Sequence, residues 1–124
     1  MSLSRVVMRL ARNPGTEFSG GDDRRGYALV APLGEGGALD EAAFRQVKSQ
    51  CTVRRFVPDE DATMGHLARR GQHWFFDYDA ADSDDDETVH RLGDHRFALG
   101  EYITVSDENG RPLTYKIVEV SLLD

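Results

Sequence analysis

The chain has 124 residues, one cysteine and a formal net charge of -7. That length suits one domain over 1–124 that buries roughly two thirds of its unfolded surface, so neither disulfides nor a structural metal are required for a core. No apolar run approaches the ~20 residues of a membrane span. The first ten residues lack the apolar core of a signal peptide, because Arg5 and Arg9 interrupt them. With Cys51 as its only thiol, the chain is expected in a reducing, cytoplasmic setting, with no membrane partner.

Ser4 to Ala11 reads as a first strand, ended by Asn13-Pro14-Gly15. Thr16 to Arg25 reads as a loop and Gly26 to Leu33 as a buried strand. One helix follows. Asp40 can accept the free amide protons of a first turn, Leu39 and Phe44 fit a hydrophobic staple, and Phe44, Val47 and Cys51 recur at helical spacing. Thr52 to Val57 is a strand with Val53 and Arg55 on one face, and Arg54 and Phe56 on the other. Met64 to Arg69 and Gln72 to Tyr78 form a hairpin in which Trp74, Phe76 and Tyr78 share a face. Ala80 to Thr88 reads as an acidic loop, and Val89 to Asp94 leads into a final hairpin. There, alternating residues flank Asn109-Gly110, a pair that tolerates the positive φ of tight hairpin turns. The expected fold is mainly β (α+β), a small barrel-like or curled antiparallel sheet of about six or seven short strands with one helix over an end or a face.

The acidic run starts like a calcium loop at Asp82, Asp84 and Asp86, but Glu87 and Gly93 stand where Gly and a bidentate Glu belong. The run is read as a solvated loop. His66, His73, His90 and His95, with Asp94 or Asp77, supply ligand types for a metal site and a metal-dependent hydrolase. Their spacing matches no metal motif, and no cofactor is indicated. Cys51 is read as a buried small hydrophobe rather than a nucleophile. Arginines come in pairs at 24–25, 54–55 and 69–70. On a strand the members of a pair face opposite ways, so only one of each can join a shared patch. Together with the acidic balance, this disfavours nucleic acid.

Most of the chain resembles a family of small uncharacterised bacterial proteins. The likeness rests on Met8 to Gly15, Gly26-Tyr27, Val30 to Leu33, Val53 to Phe56, Gly65 to Leu67, Trp74 to Tyr78 and Gly100 to Tyr102. It implies a bacterial origin and no activity. Gly100 to Ile103 followed by Tyr115 to Val118 is also similar to strand patterns of sortases, but the Cys and Arg that a sortase carries beyond such a hairpin do not follow. The expected function is therefore a non-enzymatic module for a protein or small-molecule ligand. Trp74, Phe76, Arg55 and Arg69 are its expected contact surface, since aromatics and Arg are enriched at binding hot spots. A metal-dependent protein and a single-stranded nucleic-acid binder are the alternatives.

Overall fold

A computed structural model describes residues 3–71, 73–78, 87–89, 96–107 and 110–123. The sheet is a closed antiparallel barrel in simple sequence order. Its strands are β1 (Leu3–Leu10), β2 (Asp22–Pro32), β3 (Thr52–Phe56), β4 (Thr63–Arg70), β5 (His73–Asp77), β6 (Glu87–Val89), β7 (Tyr102–Ser106) and β8 (Pro112–Leu123). Among the described residues the strand count is eight rather than six or seven. The extra strand is β6, whose three residues are too few for alternation to be readable.

Alternation places the core. Val6, Met8 and Leu10 of β1, Tyr27, Leu29 and Ala31 of β2, and Leu113, Tyr115 and Ile117 of β8 all point inward. β1 pairs with β8 from Leu3↔Leu123 to Leu10↔Tyr115, with one bulge between Val7 and Met8. This pairing closes the sheet, so neither terminal strand is an uncovered edge. β2 starts four residues earlier than expected, at Asp22, because a bulge in β2 at Asp23 to Arg25 lets Leu10 pair with Asp22.

The helix α1 (Glu41–Val47) begins as the sequence indicates, with the Asp40 carboxylate accepting from the Ala43 amide at 3.0 Å. A 3-10 turn at Lys48–Gln50 continues it. The buried side of α1 closes one end of the barrel: Phe44 meets the Trp74 ring edge-on, with centroids 4.9 Å apart. Leu39 and Phe97 join them in the core. Arg5, Arg9, Arg54, Lys116 and Glu119 stand on the outer face of the strands, where a lipid-facing barrel carries an apolar band. Among the described residues no helix is long and apolar enough to cross a membrane.

Candidate functional site

The barrel end opposite α1 is polar inside. Inward positions on β2, β6 and β8 place Tyr27, Glu87 and Tyr115 there, and Tyr78 follows directly on β5. Glu87 is only 4% exposed. Its Oε1 accepts hydrogen bonds from the hydroxyls of Tyr27 at 3.0 Å and Tyr78 at 2.6 Å. Its Oε2 lies 3.7 Å from Nε of Arg55. Burial raises the Glu87 pKa above the ordinary carboxylate value, while the Tyr78 hydrogen bond, Arg55 and Tyr27 pull it back down. Burial likewise raises the Tyr27 and Tyr78 hydroxyls well above the ordinary tyrosine value, so they remain donors.

Above this cluster the β1–β2 connection lays Phe18 over the mouth. The guanidiniums of Arg25 and Arg111 sit 4.9 Å and 5.7 Å from its ring centroid. Each is also ion-paired, Arg25 with Asp22 at 3.1 Å and Arg111 with Glu17 at 2.7 Å. The space left beneath is about 60 Å³, room for a couple of waters. Beyond it the interior is filled by Phe76, Met8, Leu29, Ile103 and Ile117. An eight-stranded barrel can be filled by side chains or hold a small ligand, and this one is filled. The polar end is a closed, charge-matched plug.

The larger concavities lie on the outer surface. One concavity, of about 1090 Å³, runs along the outside of β4 beneath α1 and its 3-10 turn. Met64, His66 and Ala68 are its strand side; Arg45 and Lys48 overhang it from the helical side. Met64 is 57% exposed. Arg69, at one end, pairs with Glu41 at 3.1 Å and lies 5.4 Å from the Trp74 ring centroid.

The surface expected from Trp74, Phe76, Arg55 and Arg69 does not form. Trp74 is 3% and Phe76 0% exposed, because the shared face of β5 is the inward one. Arg55 belongs to the Glu87 cluster at the polar end, and Arg69 to the opposite end. His66 and His73 both face outward but do not pair: His66 stands opposite Asp77 and His73 opposite Arg70. The ladder separates them by four positions, about 13 Å, too far to share an ion. His90, His95 and Asp94 lie outside the described residues, and among those described no three His, Cys, Asp or Glu side chains converge. Cys51 is fully buried, and burial pushes its thiol up to about 11. Sequence reasoning missed Glu87. It ends an acidic run and was assigned to the solvated loop, yet it starts β6 in step with inward-facing Val89.

No family model matches the chain, and no match was found among curated proteins or solved structures.

Proposed function

We propose that the protein is a binding module of the cytoplasm whose groove along β4 receives an acidic, partly apolar segment of a partner protein. The observation that carries this reading is the chemistry of the groove. Arg45 and Lys48, neither with an ion-pair partner among the described residues, overhang the apolar Met64 and Ala68. Apolar contacts supply affinity for such a segment, and the cations select its charge and steer its approach. Closure of the barrel favours this mode, because a closed sheet offers a peptide no edge to extend. The lone buried thiol fits a reducing compartment.

The test is calorimetric titration with a twelve-residue peptide of Asp and Glu carrying leucines at every third or fourth position. Binding should be measurable in low salt, fall at least tenfold in Arg45→Glu/Lys48→Glu, and weaken in Met64→Ala. Lack of heat at low salt, or binding indifferent to the charge reversal, refutes the proposal.

A further inference from the structure

A second concavity, of about 750 Å³, lies on a different part of the outer face, across β1, β2, β3 and β8. Its lining contains Arg5, Arg9, Arg24 and Arg54, against only two acidic residues, Glu60 and Glu119. Strand parity assembles it. Of the pairs at 24–25 and 54–55, Arg25 and Arg55 turn toward the polar end of the interior, and Arg24 and Arg54 toward this face. Register then brings the outward members together. Lys116, Arg9, Gly26 and Phe56 are successive partners across four adjacent strands, and Arg54 sits one row away, opposite Ala28.

Two details give the face its chemistry. Gly26 has no side chain, and a Cβ there would come within 3.0 Å of the Phe56 ring and 2.0 Å of the Met8 carbonyl oxygen. Phe56 therefore lies across the strands. The Arg9 and Arg54 guanidiniums stand 5.4 Å and 5.9 Å from its centroid. Arg9 also donates to the Asp23 carbonyl, which holds the group in place, and among the described residues no carboxylate pairs with it. Arg5 is offset by Glu119 at 2.8 Å, and Arg24 lies only loosely, at 3.8 Å, by Asp22. The net charge of -7 does not oppose an anion here, because five aspartates fall in 79–86 alone and the other 116 residues carry 15 basic and 17 acidic side chains.

We infer that this face binds single-stranded nucleic acid without sequence preference, with the arginines on successive phosphates and bases stacking on guanidinium planes over Phe56. Arginine matches phosphate geometry through paired donors, and planar cations on an aromatic give stacking surfaces that an acidic peptide leaves unused.

The experiment is fluorescence anisotropy of a labelled dT12 oligonucleotide with the full chain, from 50 to 200 mM salt. Four phosphate contacts on a single strand predict a log–log slope of about -2.8, a roughly fifty-fold loss of affinity over that range. Arg9→Ala/Arg54→Ala should reduce the slope to about -1.4, or a sevenfold loss. Arg5→Ala/Arg24→Ala, which leaves the Phe56 stack intact, should also lower the slope and serves if the first pair fails to fold. Lys48→Ala, in the other groove, should leave it unchanged. The inference is overturned by any of three results: no binding at 50 mM salt, a slope insensitive to the variants that fold, or displacement by poly-glutamate or anionic vesicles at equal charge concentration.

Discussion

Replacing Glu87 by leucine should destabilise the barrel by about 3 kcal/mol, through the donors it strands rather than the side chain it removes. Tyr27 is buried, and its hydroxyl has the Glu87 carboxylate as acceptor. A buried donor left without a partner costs about 1–3 kcal/mol. The Tyr78 hydroxyl loses a 2.6 Å bond but is only part-buried. Arg55, 41% exposed, keeps access to water, so its loss of a carboxylate at 3.7 Å is worth well under the value of a buried pair. For 124 residues the entropy of unfolding converts each kcal/mol into about 4 °C of Tm, so the variant should melt about 12 °C below the parent at neutral pH. Circular dichroism melts and urea titrations measure this directly. Removing the stranded donors as well, in Glu87→Leu/Tyr27→Phe/Tyr78→Phe/Arg55→Met, should recover most of the loss, since an apolar replacement of a complete buried polar set is often neutral. If Glu87→Leu melts within about 2 °C of the parent, the cluster is not a closed network and the account of the polar end is wrong.

The same carboxyl sets a pH dependence. Its pKa is raised in the folded state, so the fold binds this proton more tightly than the unfolded chain and stability falls as pH rises from about 4 through the folded value. The stability of the parent minus that of Glu87→Gln should decline across that window; a difference that is flat or rises contradicts the burial. Gly65→Ala should cost about 1–3 kcal/mol, because the new Cβ would lie 2.5 Å from the Asp77 carbonyl oxygen and 2.8 Å from the Tyr78 ring. Gly20→Ala, with nothing within 4 Å, is the control and should stay within about 0.5 kcal/mol. Cys51 should resist a thiol reagent at pH 8 until urea unfolds the chain, given full burial and a thiol pushed up to about 11. Stoichiometric native labelling within minutes would show that the 3-10 turn before it opens freely.

Local pattern carried much of this fold. Alternation separated the two faces of β3 and of β5, Asp40 marked the start of α1, and helical spacing from Phe44 and Val47 placed Cys51 in the core. These features depend on a few neighbouring residues, which the sequence displays directly. The two surface concavities and the polar end were not legible in the same way. Trp74 and Phe76 were correctly put on one face, but whether that face looked in or out depends on which side the sheet curls toward. Glu87 was hidden because three residues of strand in an acidic stretch carry no period. The opposite facing of Arg24 and Arg25, and of Arg54 and Arg55, followed from the pleat alone. That Arg5, Arg9, Arg24 and Arg54 then meet on one wall was decided by the registers of β1 with β2 and of β2 with β3, which are set by pairing between separate stretches of chain and leave no local pattern in the sequence.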